Sequence, residues 1–284
     1  MSLIFDQYSE RLRRKRMSPH TVSAFATASA RLNRWLQTQG LRAEDVPAPL
    51  LEEYFDNLAL ELQPSSAETH LKFVRAAYNY AAVMGRLRPG HNPTVDLKIN
   101  PGPDREPTII PNDCLRTIRD RIIYRRDWVF FHLLAYTGMR RAEIRGLVYD
   151  DGREAGSVVR FETQTLRVIG KGGRLRLVPI HPALGEVLAE EDRTPGRYVV
   201  TSDGQHGVAV KTIQNMTKRL SCVFTPHDYR RTVATSLRRN GVDESARNRI
   251  MGWGPRDVFQ RYYDNVADAE LHRAILRLYA DDPV

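Results

Sequence analysis

The chain has 284 residues, 42% hydrophobic and 27% charged, so it is long enough for one or two folded domains and too apolar for disorder along its whole length. Its net charge of +9, with a sequence pI near 9.7, favours a polyanionic partner, nucleic acid first, and 29 Lys+Arg against 22 Asp+Glu in residues 107–284 place most of the excess there. Two cysteines in unrelated contexts, no apolar run of about 18 residues and no apolar core near the N-terminus speak against a zinc cluster, a disulfide framework, a membrane span and a signal peptide, and fit a reducing cytoplasm.

Residues 1–85 read as helices. Ser18 is a plausible N-cap with Pro19 in the first turn, and Val22, Phe25, Ala26, Ser29, Leu32, Trp35 and Leu36 then recur at helical spacing until Gly40. A second helix is expected from about Ala48 to Leu60. A third starts near Ser65 and carries Leu71, Val74, Ala77, Tyr78 and Ala81. The stretch from Arg88 to Pro107 holds five prolines and two glycines, which cannot continue a helix. The expected organisation is therefore a helical domain over 1–87, a linker over 88–107 and a second domain over 108–284.

In the second domain, Trp128–Tyr136 reads as a buried core helix. Thr165–Ile169 and Arg174–Val178 alternate apolar and polar residues around Gly172-Gly173, which predicts a β-hairpin. The rest from about Pro182 is expected to be mostly helical. The overall class is mainly α with a small β-sheet. Near the end, Leu271, Ala274, Ile275 and Leu278 share one face; that face fits either a neighbouring subunit or its own domain.

Four segments carry chemistry-bearing side chains, and each has a plainer reading when taken alone. In Thr137-Gly-Met-Arg-Arg-Ala-Glu143, Gly138 allows a sharp turn and Arg140 stands at a helix start, where its planar fork suits a phosphate; Glu143, one turn on, is placed to hold it, or the two form an ordinary surface pair. Lys171 and Arg174 lie in or beside the hairpin turn, within reach of a partner's groove or simply in solvent. In Thr225-Pro-His-Asp-Tyr-Arg230, Thr225 and Asp228 have capping-box spacing, and His227 and Arg230 fall on one helix face at the positive end of the dipole. In Gly252-Trp253 and the following Tyr262-Tyr263, the aromatic residues are by themselves fillers as readily as functional groups.

In order and spacing, however, these segments together resemble the tyrosine recombinase, or phage integrase, family. That family reads T-G-x-R-x-x-E, a turn lysine between two strands, H-x-x-R, G-H or G-W, and a tyrosine nine residues beyond the His/Trp; here Arg140 and Glu143, Lys171, His227 and Arg230, Trp253 and Tyr262 fill every slot. The resemblance covers nearly the whole chain, with residues 108–280 similar to the catalytic domain. Three positions depart from the commoner pattern: Trp253 replaces His, Arg231 stands where many members have His, and Tyr263 adjoins Tyr262.

The resemblance implies a C-shaped two-domain clamp, with a helical core-binding domain and an α+β catalytic domain. It implies a site-specific recombinase in which Tyr262 attacks a DNA phosphodiester to form a 3′-phosphotyrosyl link. Arg140 and Arg230 would stabilise the charge, Lys171 would protonate the leaving oxygen, His227 would act as acid/base, Trp253 would donate to the phosphate or pack the pocket, and Glu143 would support them. No cofactor, metal or ATP is expected. The implied partner is double-stranded DNA with an inverted-repeat core site. The protein would bind it as a homotetramer, passing through a Holliday junction, and would be a monomer or weak oligomer when free; accessory proteins remain open. It would be cytoplasmic and nucleoid-associated, and not membrane-bound. Arg13, Arg14, Lys15, Arg16, Lys72, Arg75 and Arg174 are the further DNA-binding candidates. The competing readings are a type IB topoisomerase-like strand-swivelling enzyme, a catalytically silent DNA-binding factor, and a metal-dependent nuclease built on a carboxylate triad.

Overall fold

The computed structural model describes residues 3–100, 106–152, 156–253 and 267–284. The chain divides into two compact units, residues 1–105 and 106–284.

Among the described residues the first unit holds four α-helices, α1 (Leu3–Arg14), α2 (Pro19–Thr38), α3 (Ala48–Glu61) and α4 (Pro64–Val83), and one short 3₁₀ turn at Ala43–Asp45. The Ser18 hydroxyl accepts from the Thr21 N–H at 3.1 Å and caps α2 as its sequence predicts. The apolar face of α2 is Phe25, Ala28, Ser29, Leu32 and Leu36; Ala26, expected on that face, is exposed, and Ala28, three residues after Phe25 and four before Leu32, completes the stripe instead. The face of α4 is as expected, with Leu71, Val74, Ala77, Tyr78 and Ala81 buried. Tyr78 keeps its hydroxyl satisfied in this core by donating to the Ala43 carbonyl at 2.7 Å.

The described part of the expected linker is no free tether. Leu97 joins the core of the first unit with Ile99 packed against it, and Arg75 on α4 donates from Nε to the Thr94 carbonyl at 3.1 Å and from its fork to the Leu97 carbonyl. Proline and glycine rule out a helix here, but a non-helical segment still packs when apolar side chains recur and a donor meets its backbone carbonyls.

The second unit surrounds α6 (Arg125–Thr137), whose Val129 to Tyr136 are all buried. A helix apolar on every side needs cover on every side. It is supplied by α5 (Asn112–Asp120), α8 (Pro182–Ala189), α9 (Val210–Leu220) and α10 (Pro226–Arg239). The one buried charge at the start of α6, Asp127, takes both arms of Arg219 at 2.6 and 2.7 Å.

Against this lies a four-stranded sheet in the order β1 (Leu147–Tyr149), β2 (Ser157–Arg160), β3 (Thr165–Ile169), β4 (Leu175–Pro179), with β1 parallel to β2 and the other pairs antiparallel. The predicted hairpin is β3–β4. The first two strands went unread, being too short to show alternation. The hairpin holds one reversal: Val168 pairs with Arg176, so on β4 the arginine faces inward and Leu175 is exposed.

Past β4, α7 (Arg141–Arg145), α10 and α11 (Glu244–Met251) gather at one edge, and α12 (Asp268–Ile275) closes the unit. Leu271, Ala274, Ile275 and Leu278 are buried in this unit's own core. The following segment is latched by Tyr279 Oη to the Ala135 carbonyl at 2.9 Å, and by Tyr136 Oη to the Val284 carbonyl at 2.7 Å.

Candidate active site

Two glycines set the site. Gly138 ends α6 at φ +60, a left-handed conformation that glycine adopts without strain, and a Cβ there would meet the Met251 thioether at 2.9–3.0 Å. Gly252 ends α11 at φ +63, and a Cβ there would fall 2.7 Å from Arg176 Cδ. Each turn sends the next motif residue, Arg140 or Trp253, out of the core toward the same place.

Arg140 is the N-cap of α7. Glu143 accepts from the Arg140 backbone N–H at 2.6 Å and from its Nη1 at 2.8 Å. The plainer surface-pair reading fails, because the Glu143 side chain is buried. It lies beneath Arg140 and takes a second, bidentate guanidinium: Arg176 donates at 3.0 and 2.8 Å. Burial alone pushes the Glu143 carboxyl up. Arg176, then Arg140, outweigh burial and hold it below the ordinary carboxylate range.

On α10 the capping box forms as its spacing predicts: Asp228 accepts from the Thr225 N–H at 2.8 Å and from its hydroxyl at 2.7 Å. One turn on, Arg230 is buried at 3% exposure. It donates to the Gly138 carbonyl at 2.5 Å and to the Met251 carbonyl, which ties the two glycine turns together. Burial, reinforced by Arg140 and Arg176, lowers Arg230 to about 10, still a cation at neutral pH.

His227 is more exposed. Burial, then Arg231 and Arg230, push its imidazole below the ordinary value and favour the neutral, proton-accepting form. Arg140, His227 and Arg230, with Arg141, Thr225 and Pro226, line an open cavity of about 240 Å³. The Trp253 ring lies 6.0 Å from the Arg230 guanidinium carbon, at the outer reach of a cation–π contact.

Thus Arg140, Glu143, His227, Arg230 and Trp253 converge. Lys171 opens the single 3₁₀ turn between β3 and β4, beside Gly170, where a Cβ would meet Glu143 Oε1 at 3.2 Å and Arg176 Nη1 at 3.3 Å. Tyr262 and Tyr263 lie outside the described residues. Of the further candidates, Arg13, Arg14, Lys15, Arg16 and Arg174 are exposed, and Lys72 pairs with Glu68 at 2.7 Å. Arg75 differs: its fork is committed to backbone within its own unit. Arg176 went unread as a site residue. The alternation reads it as an outward, polar position, and only its pairing with Val168 turns it inward.

Arg140 and Arg230 give this cavity a preset pair of guanidinium groups, a lining suited to an anion. The phage integrase family model matches residues 112–269, and the chain belongs to that family: it is a tyrosine recombinase. It is 27% identical to the tyrosine recombinase XerD of Shewanella oneidensis, across 90% of this chain and 89% of that one. With XerC of Pelobacter propionicus it shares 25% identity, across 87% and 85%. Its fold is similar to that of lambda integrase solved as a dimer bound to a COC′ core site (TM-score 0.70, 15% identity, 94% of this chain and 99% of that one). The Tn1549 transposon integrase in complex with circular intermediate DNA is also similar (TM-score 0.65, 17% identity, 96% and 99%).

Proposed function

We propose that this recombinase cleaves and rejoins double-stranded DNA at an inverted-repeat core site, with Tyr262 as nucleophile. The Tyr262 oxygen attacks the phosphorus, the bond from phosphorus to the 5′-oxygen breaks, and a 3′-phosphotyrosyl link forms. His227 takes the tyrosine proton and Lys171 supplies one to the departing 5′-oxygen. Charge building on the non-bridging oxygens is met by Arg140 and Arg230, which need no rearrangement at the moment of reaction. The link conserves the phosphoester bond energy, so rejoining by the 5′-hydroxyl needs no nucleotide. Guanidinium groups take the charge-stabilising role that metals fill in two-metal nucleases. The observation that carries this reading is the convergence of Arg140, His227 and Arg230 on one cavity, with Glu143 beneath and Trp253 beside it.

A nicked substrate that traps cleavage tests it, with chelator present. A covalent protein–DNA adduct is expected on a denaturing gel. Tyr262→Phe should abolish it, a loss of more than about 10⁴-fold in line with deletion of a catalytic nucleophile. Tyr263→Phe should retain it. An adduct mapped to Tyr263 overturns the assignment of the nucleophile, and no adduct on a verified bound site overturns the cleavage reading.

The two units would close around the duplex as a clamp, four copies would synapse two sites through a Holliday junction, and the enzyme would work in the cytoplasm on the nucleoid. Affinity should come mainly from phosphate contacts. On a log–log plot against salt it should fall linearly, and neutralising Arg13, Arg14, Lys15 and Arg16 should flatten the slope by about 0.9 for each side chain that meets a phosphate. An unchanged slope would remove that cluster from the interface.

A further inference from the structure

We propose that Arg176 is a positioning residue for strand cleavage: through Glu143 it fixes the fork of Arg140, and through the Ile250 carbonyl it fixes the turn that carries Trp253. The inference rests on the recombinase reading and adds to it a side chain outside the motif pattern.

Three segments meet on this one guanidinium. Its two terminal nitrogens donate to the two Glu143 oxygens at 3.0 and 2.8 Å, and its Nε donates to the Ile250 carbonyl at 3.0 Å. The neighbouring carbonyl, Met251, is taken by Arg230, so two arginines hold successive peptide units of one turn. Two glycines make room for Arg176. A Cβ on Gly252 would lie 2.7 Å from its Cδ, and a Cβ on Gly170 would lie 3.3 Å from its Nη1. Gly170 immediately precedes Lys171, and Arg176 itself lies on the strand that leaves the lysine turn. The lysine turn, the Arg140–Glu143 pair and the Gly252-Trp253 turn thus share a single anchor.

The geometry also explains why an arginine is used. A planar fork can satisfy both oxygens of one carboxylate while its Nε reaches a third acceptor in another direction, whereas an ammonium is a point charge on a flexible stem. The groups facing Glu143 are Arg140 on its own element, Arg176 on β4 and, through space, Arg230 on α10. Arg176 makes the largest opposing contribution to the cost of burying that carboxylate. Without it, burial would drive the carboxyl upward. As pH falls through the raised value, Glu143 would take a proton and release Arg140.

The test is single-turnover adduct formation on the nicked substrate, followed across pH, with DNA affinity measured separately. Arg176→Gln is expected to cleave about 100-fold more slowly, the scale of a small misplacement of reacting groups. Its DNA affinity should be little changed, and its pH profile should gain a second acid limb beside the one that protonation of His227 gives the wild-type protein. Arg176→Lys keeps the charge without the fork, so it should restore the wild-type pH profile but only part of the rate. A folded Arg176→Gln protein that cleaves at the wild-type rate, or is slowed with a wild-type pH profile, overturns the inference. If that variant does not fold, Arg176→Lys decides. Slower cleavage at wild-type affinity and pH profile supports the inference, and an undiminished rate overturns it. No adduct from the wild-type protein would instead sink the recombinase reading itself.

Discussion

Replacing Arg230 with lysine is expected to slow DNA cleavage by about 10²–10³-fold, the usual effect of removing one preset charge stabiliser, while DNA affinity changes far less. Arg230 is held from both sides, by the carbonyls of Gly138 and Met251. One ammonium cannot bridge two carbonyls from separate elements and also face the cavity. Charge matters as much as geometry. Burial, with Arg140 and Arg176 nearby, pulls Arg230 down to about 10, and it remains a cation. A lysine starts from an ordinary value of about 10.4, so the same surroundings would carry it toward neutrality. Single-turnover cleavage should therefore recover somewhat as pH is lowered in Arg230→Lys. A rate within a few-fold of wild type at neutral pH would show that Arg140 alone suffices.

Glu143→Ala is expected to destabilise the second unit by about 3–5 kcal/mol, because it leaves Arg176 as a buried charge without its partner. Both side chains are nearly closed to solvent, at 4% and 7% exposure, so screening by water does little to soften the loss. For a unit of this size the melting temperature should fall by on the order of 10 °C. Denaturant unfolding of wild-type and variant proteins measures the difference, and a change under about 1 kcal/mol would mean that Arg176 finds water or another acceptor. Because the folded state holds the Glu143 carboxyl low, its contribution is present above the ordinary carboxylate pKa and fades as pH falls through the depressed value. The gap between the two proteins should narrow toward acid.

Much of this molecule can be read from its residues. The cap at Ser18, the Thr225–Asp228 box and the buried helix around Phe130 follow from local rules, and the structure contains all three. So does the β3–β4 hairpin, whose glycine turn and alternation are strong signals. Legibility ends where long-range packing decides. Nothing local marks β1 and β2, which at three and four residues are defined by their neighbours. Nor does composition reveal that the proline-rich stretch after Arg88 is tied down by Arg75, since a single long side chain makes that contact across 19 residues or more. The site shows the same division. Arg140, His227, Arg230 and Trp253 stand out by motif, whereas Arg176 matters only because folding turns it inward and sets Glu143 against it.

Among the described residues, three guanidinium groups, Arg140, Arg176 and Arg230, share this edge of the fold around the buried Glu143 carboxylate, and the first two push on the third. Without an anion the array is electrostatically frustrated, and part of the folding free energy goes to holding like charges together. Any dianion or phosphodiester that settles among them relieves that repulsion in the native state alone, and so tightens the fold by mass action. Stability and readiness for substrate are therefore set against each other at this edge, and a bound phosphodiester should raise the melting temperature of the second unit.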